Sequence, residues 1–290
     1  NLAKAYVQIV PSAEGMKSMI EQAMGKDPEE AGEKAGNSIA SKIKNIIVAA
    51  GIGKVVSQAF TEGSALEQSL GGIETLYKEN ADKMKAYAKE AYKTSGVSAN
   101  AYMENVTSFS ASLISSLKGD TSKAADIANR AMQDMSDNSN KFGTNIQDIQ
   151  NAYQGFAKQN YTMLDNLKLG YGGTKEEMQR LLKDAQKLSG QKYDISNLAD
   201  VYTAIGVIQD NLDITGTTAK EAATTFSGSF GSMKAAAQDF LGNVAIGGDV
   251  TGTLSNLITT ASTFLFDNAV PMALNIVKGF ATALILSLIH

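Results

Sequence analysis

Residues 164–190 read LDNLKLGYGGTKEEMQRLLKDAQKLSG and contain a complete set of helix start and stop signals. An apolar segment comes first, with Leu164, Leu167 and Leu169. A glycine-rich break follows it, and glycine adopts positive φ at little steric cost, so the break predicts a turn. The four residues of this break are Gly170, Tyr171, Gly172 and Gly173.

The break leads into an amphipathic helix with Thr174 as its predicted N-cap, because a threonine hydroxyl accepts from an orphan N–H of the first turn. Glu177 is placed to reach back to the N–H of the cap and complete a capping box. Gly190 is placed for a left-handed C-terminal cap. Apolar residues at helical spacing predict one buried face, made of Met178, Leu181, Leu182, Ala185 and Leu188.

Similar patterns along the chain predict an all-α fold of roughly eight to ten helices, elongated or loosely bundled. Proline, which helix interiors tolerate poorly, occurs only 3 times in 290 residues. A weak alternation at residues 4–10 predicts a short N-terminal β-strand or extended arm. The predicted helices cover residues 27–60, 64–94, 98–117, 121–136, 145–158, 174–189, 196–212 and 218–241, followed by apolar segments at 254–266 and 269–289.

Several helix boundaries rest on single capping signals. Ser64 is predicted to start a second helix after an interruption near residue 60. The polar run at residues 134–141 predicts a loop. Two further capping boxes are predicted, one from Thr144 with Gln147 and one from Thr218 with Glu221.

The sequence of residues 164–190, together with FAKQNYTM at 156–163 before it, closely resembles the core region of bacteriophage tail tape measure proteins. AYVQIVPSAEGM at residues 5–16 resembles the usual start of that family. The stretches between are also similar to it, namely SALEQSLGGIETLY at 64–77 and AYKTSGVSANAYMENVTSFSASLISSLKGD at 91–120. Two later stretches resemble it less specifically, TTFSGSFGSMKAAAQDFL at 224–241 and NAVPMALNIVKGF at 268–280.

This resemblance implies a structural virion protein, not an enzyme, that lies in the lumen of the tail tube and sets tail length. It also implies help with DNA passage into the host, assembly in the host cytoplasm, and three partners: the tail tube protein, tail assembly chaperones and tail tip proteins. We expect an N-terminal arm and long helix at 1–62, a tape measure core at 63–192 and a C-terminal helical region at 193–290. The Asn start and the apolar end favour a longer parent chain.

Composition excludes several other classes of function. The chain has no cysteine and a single histidine, His290, so a thiolate nucleophile, a Ser–His–Asp triad and a multi-histidine metal site are not expected. The net charge is −4, and acidic and basic residues are interspersed along the chain. The sequence therefore contains no basic stripe of the kind that binds nucleic acid. GIGK at residues 51–54 lacks the first glycine and the Ser or Thr of a phosphate loop. We therefore predict no cofactor and no metal, although carboxylate chemistry, as in a cell-wall hydrolase, stays open.

The apolar end of the chain supports an alternative function, that of a membrane-inserting helical toxin or translocation domain. Residues 269–289 carry one charge, Lys278, and are about as long as a bilayer span. The segment would begin near Pro271 and include the apolar run Leu284, Ile285 and Leu286. Burial against residues 254–266 inside a helical body is the other interpretation.

Self-association is also expected. The alanine-rich faces of residues 27–60 and 121–136 bury little area per helix, so pairing of chains would add to the buried surface.

Overall fold

The structure is a computed structural model that describes residues 52–275, with side chains from residue 57 onward. The predicted all-α class is confirmed for this part of the chain, which contains helices and turns and no strand. The arm predicted at residues 4–10 lies outside the described residues, as does most of the helix predicted at 27–60. The division into 1–62, 63–192 and 193–290 stays a prediction.

We number the helices α1 to α10 in chain order. They are α1 Ile52–Tyr77, α2 Ala81–Thr94, α3 Ala99–Ser116, α4 Thr121–Phe142, α5 Ile146–Ala157, α6 Lys175–Ser189, α7 Leu198–Asn211, α8 Thr217–Thr224, α9 Phe226–Ile246 and α10 Val250–Ser262. Short 3₁₀ turns lie at Lys78–Asn80 and Leu164–Leu167, and a π-helical segment, Thr263–Ala269, continues α10.

Helix α1 runs without interruption through residues 60–64, so the prediction that Ser64 starts a new helix is wrong. The glycine at this point serves packing instead of termination. A Cβ on Gly63 would collide with the side chain of Ala245 in α9. The chain breaks later, at the 3₁₀ turn after Tyr77, where Lys78 has φ 50°. Small residues therefore let α1 and α9 approach closely.

The main core lies among α1 to α7 and extends to Ile214. Its largest fully buried side chains include tyrosines from four helices. The ring of Phe109 meets Tyr202 edge-on at 5.4 Å between centroids, and Tyr202 lies 5.0 Å from Tyr153. Two of the buried hydroxyls have partners: Tyr202 donates to the Tyr153 carbonyl at 2.8 Å, and Tyr77 pairs with Ser110 Oγ at 2.7 Å. The hydroxyl of Tyr153 has no partner among the described residues.

Helix α4 lies in the middle of this core, and its alanine face is used there. Ala124, Ala125, Ala128 and Ala131 are all buried, and polar residues follow them on the same helix. The loop predicted at residues 134–141 is wrong, because α4 continues to Phe142 and ends at Gly143 with φ 62°. The polar side chains of its last turns find partners inside the protein, as described below.

Two of the predicted capping boxes are wrong, and one additional helix start is present. Asn145, not Thr144, caps α5 by accepting from Gln147 N. The predicted box of Thr218 is wrong as well, because α8 starts one residue earlier, after Gly216, and Thr218 is buried. A separate helix, α9, then begins with Thr225 accepting from Gly228 N.

A second, smaller cluster of buried residues joins α9 and α10 to one side of the main core. Its buried members are Tyr92, Ala235, Ala236, Phe240, Leu254 and Leu257. The predicted break between the two helices is confirmed: Gly247 ends α9 with φ 68°, and Asp249 caps α10 by accepting from Gly252 N. We call α9 with α10 the C-terminal hairpin.

Candidate functional site

The stretch that dominated the sequence analysis forms a compact turn on the main core. Leu164 and Leu167 are fully buried in a 3₁₀ turn, and Leu169 is nearly so. Gly170 has φ 87°, as the glycine break predicted. The chain then returns against itself, since a Cβ on Gly173 would collide with the Thr162 carbonyl oxygen. Gly173 is thus required for a close backbone approach.

A charged side chain from α6 closes this turn from outside. The guanidinium of Arg180 lies 4.3 Å from the centre of the Tyr171 ring. It also donates to the Gly170 carbonyl at 2.7 Å and pairs with Glu177 at 2.6 Å. The half-buried Tyr171 is therefore held at two points. Arg180 covers its ring, and its hydroxyl donates to Asp184 at 3.2 Å.

The predicted cap of α6 is confirmed in one half and wrong in the other. Thr174 Oγ1 accepts from Glu177 N at 3.2 Å. The Glu177 carboxylate, however, accepts from Gly172 N at 3.0 Å instead of the N–H of the cap. The N–H of Thr174 is taken by the Gly172 carbonyl. Arg180 and then Gly172 N lower the pKa of Glu177 to about 2, so this exposed group stays ionised.

The apolar face of α6 packs as predicted except at its end. Met178, Leu181, Leu182 and Ala185 are buried, and Gly190 ends the helix with φ 72°. The prediction that Leu188 belongs to the buried face is wrong, because half of this residue is exposed. It falls in the last turn, beyond the part of α6 that the core covers.

Behind the turn lies a group of polar side chains that we call the interior polar cluster. It consists of the half-buried Arg130 and four buried residues, Asp134, Asp137, Asn138 and Gln209. Arg130 links α4 to α7 by donating to Asp134 Oδ1 at 2.8 Å and to Asp210 Oδ1 at 2.6 Å. A Cβ on Gly206 would lie 2.8 Å from Asp134 Oδ2, so glycine makes room for this pair.

The cluster also connects the turn to α7. Asn138 Nδ2 donates to the Leu167 carbonyl and to Gln209 Oε1, both at 2.9 Å. Gln209 Nε2 returns a hydrogen bond to the Asp134 carbonyl at 3.1 Å. The NH₂ groups of both buried amides are thus paired, whereas Asn138 Oδ1 has no hydrogen-bond partner among the described residues.

Asp137 acts on a more distant element. Its carboxylate accepts from Gly216 N at 2.6 Å and from Thr218 N at 2.8 Å. These are orphan donors at the start of α8, whose own N-cap residue offers no side chain. Asp137 therefore caps α8 from another helix.

Burial raises the pKa of Asp134 to about 7, and Arg130 offsets this only in part. Asp134 Oδ2 has no hydrogen-bond partner among the described residues, which is consistent with a carboxyl that gains a proton readily. Tyr153 and Tyr202 have pKa values well above the usual range for the same reason, desolvation. These groups are arranged to hold helices together.

Metal-ligand groups and surface clefts are two features of the described residues that bear on function. Within 52–275, no three His, Asp or Glu side chains form a group that could hold a metal ion. A surface cleft of about 420 Å³ lies between α3, α5 and the start of α7, and serine hydroxyls line it together with the apolar side chains of Phe156, Ile195 and Leu198. We find no paired acid and base in it.

The predicted membrane segment is described only at its beginning. Pro271 lies in a helical stretch after the π segment, while Lys278, Leu284, Ile285 and Leu286 lie outside the described residues. Between residues 52 and 275, no helix combines the length and the apolarity that a bilayer crossing requires.

The structure thus defines the class of protein only as an all-α bundle held by a central polar cluster. Comparison with models of protein families, with curated proteins and with solved structures finds no match in any of the three.

Sequence reasoning placed the turn but not the cluster. Asp134, Asp137 and Asn138 fall in the polar run that predicted a loop, and the sequence analysis assigned no role to Arg130 or Gln209. One signal was present: Arg130 and Asp134 stand four residues apart, the spacing of a helical ion pair.

Proposed function

We propose that this chain is a helical part of a bacteriophage tail tape measure protein. Such a protein would be a structural component of the virion that sets tail length and assists DNA passage into the host. The observation that carries the proposal is the resemblance of residues 164–190, with shorter resembling stretches in order around it. The all-α fold supports it, because the resemblance implies a helical chain.

The packing of the helices indicates which part of a tape measure protein this chain would form. A ruler gains length from each residue, and a single helix of 290 residues would reach roughly 435 Å. In the described part, helices from α1 to α7 fold back on one another, and α1, the longest at 26 residues, reaches only roughly 39 Å. We therefore assign this part to a folded module of the tape measure protein and not to its ruler.

The proposal includes self-association, but through a surface other than the alanine-rich helix faces that the sequence predicted. The alanine face of α4 is buried in its own core and is not available to a second chain. Phe226 and Phe230 on α9 are instead 43% and 47% exposed, and both rings contact Phe264 at centroid distances of 5.1 and 5.3 Å. This aromatic surface favours contact with another copy or with the tail tube, chaperone or tip proteins.

Deletion of residues 63–192 in the phage that encodes the chain tests the proposal. Negative-stain images are expected to show particles without tails or with a broad range of tail lengths, because a folded module is lost. If this region instead acts as a single helical ruler, tails shorten uniformly by roughly 195 Å. Normal tails at full length contradict both forms, and they are what a toxin or translocation domain predicts.

Two point variants of the complete gene provide matched controls. Leu181→Asp places a charge in the buried face of α6 and is expected to reproduce the deletion. Leu188→Asp changes an exposed leucine of the same helix and is expected to leave tails normal. Mass spectrometry of purified wild-type virions should also detect peptides from residues 164–190.

A further inference from the structure

A small cavity lies where the C-terminal hairpin contacts α1, α2 and α3, and its volume is about 140 Å³. A cavity of about 150 Å³ with an aliphatic lining binds benzene, so this one has room for roughly six non-hydrogen atoms. Its apolar lining is contributed by five residues of α1 to α3 and one of α9, namely Leu66, Leu70, Ala88, Ala99, Met103 and Ile246. The volume and this lining suit a short aliphatic group.

Asp239 on α9 borders the cavity and has one carboxylate oxygen without a partner. The residue is only 8% exposed, and its Oδ1 accepts from Ala99 N, the first residue of α3, at 2.7 Å. Oδ2 has no hydrogen-bond partner among the described residues, yet it is not one of the unpaired atoms that are sealed from solvent. This oxygen is therefore available to a molecule in the cavity.

A second unused acceptor comes from Asn256 on α10, which lines the same cavity and whose side-chain amide is unpaired within residues 52–275. The other two neutral polar side chains of the lining are engaged inside the hairpin. Asn243 Oδ1 accepts from Asp249 N at 3.0 Å, and Thr253 Oγ1 donates to the Asp249 carbonyl at 2.7 Å. Ca²⁺ takes roughly six to eight oxygen ligands, so two oxygens beside an apolar lining suit an organic cation better than a metal ion.

No positive side chain neutralises Asp239. Lys89 and Lys85 on α2 also line the cavity, but Lys89 pairs with Asp249 at 2.6 Å and Lys85 pairs with Glu74 at 2.7 Å. The side chains of Lys89 and Asp249 are 54% and 47% exposed, so the cavity reaches the surface of the protein beside this ion pair. A small molecule can therefore enter there without separation of the helices.

The ionisation of Asp239 reflects this lack of a counter-charge. Burial raises its pKa to about 7 against the lowering effect of Ala99 N, and Glu62 on α1 adds to the rise. Tyr92 on α2, the remaining titratable neighbour, is neutral below its raised pKa. A cation beside Oδ2 would stabilise the ionised carboxylate, so the cation and a proton compete for this site.

We propose that the cavity is a binding site for a small primary alkylammonium ion with about four or five carbon atoms. The –NH₃⁺ group donates to Asp239 Oδ2 and to the amide oxygen of Asn256, while the alkyl chain lies against the apolar lining. The proposal is carried by a buried carboxylate with one free oxygen at the edge of an apolar space of matching size. It goes beyond the tape measure function and does not depend on it.

NMR titration of the complete chain with n-butylammonium chloride at pH 8, with sodium chloride keeping the ionic strength constant, tests the site. Saturable shifts of the Asp239 carboxyl carbon are expected, together with NOEs between the methylene protons of the ligand and the Met103 methyl group. Affinity should be on the order of tenfold weaker at pH 6, because a carboxyl with a pKa of about 7 is mostly protonated there. The absence of saturable binding, or binding without contacts to Met103, overturns the proposal.

Two variants and one neutral ligand provide matched controls. Asp239→Asn removes the charge, so binding of n-butylammonium should weaken on the order of tenfold or more and lose its pH dependence. Asp134→Asn removes the buried carboxyl of the interior polar cluster, which does not line the cavity, and should leave binding unchanged. n-Butanol has the same alkyl chain without the charge and should bind the wild-type chain on the order of tenfold more weakly. Equal binding of n-butylammonium by Asp239→Asn and the wild-type chain, or equal binding of n-butanol and n-butylammonium, contradicts the assigned role of the carboxylate.

Discussion

At the scale of single residues, the two glycines before Thr174 have different roles although they are adjacent. A Cβ on Gly173 would meet the Thr162 carbonyl, a backbone atom that cannot move aside cheaply. A Cβ on Gly172 would lie 3.5 Å from the Glu177 side chain, an ordinary contact, and its N–H would still reach Glu177. One glycine is therefore required by packing and the other is not.

Gly173→Ala is expected to lower the free energy of unfolding by about 1–3 kcal/mol, the usual range for forcing an extra atom into a packed site. Gly172→Ala should change it by less than about 0.5 kcal/mol. Urea denaturation followed by far-UV circular dichroism measures both. Equal effects of the two substitutions would show that the turn is looser than the structure indicates.

The polar residues of the interior cluster show the limit of sequence reasoning at this scale. The polar residue types of Asp134, Asp137 and Asn138 predicted a loop at this point of the chain. Their burial is possible because Arg130, Gln209 and the backbone of α8 supply partners from 71 to 81 residues away or from the preceding turn. Partners at such separation leave no periodic signal in the sequence.

At the scale of helices, the local signals were most reliable where the cap residue itself is exposed. Thr174 and Gly190 cap the two ends of α6 as the sequence predicts. The failures share a cause: Ser64 and Thr218 resemble caps, but tertiary contacts of α1 with α9 and of α8 with Asp137 determine where those helices run. The position at which a helix begins therefore depends on both local capping residues and tertiary contacts. Where the two favour different positions, as in α1 and α8, the tertiary contacts determine the start of the helix.

Helix α8 depends on its cap from α4. Asp137→Ala leaves the N–H groups of Gly216 and Thr218 without their acceptor. Since hydrogen bonds to a charged group contribute about 1.5–3 kcal/mol, exchange of the amides in residues 216–224 should become faster by one to two orders of magnitude, roughly. Asp148→Ala, an exposed aspartate in the first turn of α5, is the matched control and should leave α8 unchanged. Protection of α8 that survives Asp137→Ala would contradict its role as a remote cap.

At the scale of the whole molecule, buried and exposed carboxyls respond to pH in opposite directions. Hydrogen bonds lower the pKa values of four surface carboxyls: Asp126 from Lys83, Asp184 from Lys187, Asp249 from Lys89 and Asp194 from the N–H of Ser196. Their contribution to stability is therefore present above their ordinary pKa and is lost in stronger acid. Asp134 and Asp239 have pKa values raised to about 7 by desolvation. Their contribution is largest below about pH 4 and is lost as pH rises to about 7.

The free energy of unfolding is therefore expected to fall between about pH 4.5 and pH 7. Asp134→Asn should make this fall smaller, because the variant has no proton to lose. Urea denaturation at the two pH values, followed by circular dichroism, measures the difference. Stability that increases towards pH 7 in the wild-type chain would mean that Asp134 is ionised in the folded protein and stabilised by Arg130.

The location of the core could be predicted in part. Apolar residues at helical spacing identified most of its members, such as Leu181 and Ile205, because a core-facing stripe is a local property. The separation into a large and a small cluster could not be predicted, since it depends on which faces of α1, α2 and α9 meet.

The π segment at Thr263–Ala269 has a consequence for the rotation of the chain beyond it. An α-helix rotates by about 100° at each residue. A turn of π-helix contains more residues, so the rotation at each residue is smaller. Residues 270–275 are therefore out of phase with the buried face of α10, and Val270, Met272 and Leu274 are each about half exposed, at 46%, 48% and 53%. Removing one residue from this segment would shorten the chain by only about 1.5 Å, yet it would swing these three side chains by about 100° around the helix axis. The π segment therefore sets the angle at which the side chains of residues 270–275 project from the helix axis, with Val270 and Leu274 on one face and Met272 on the opposite one.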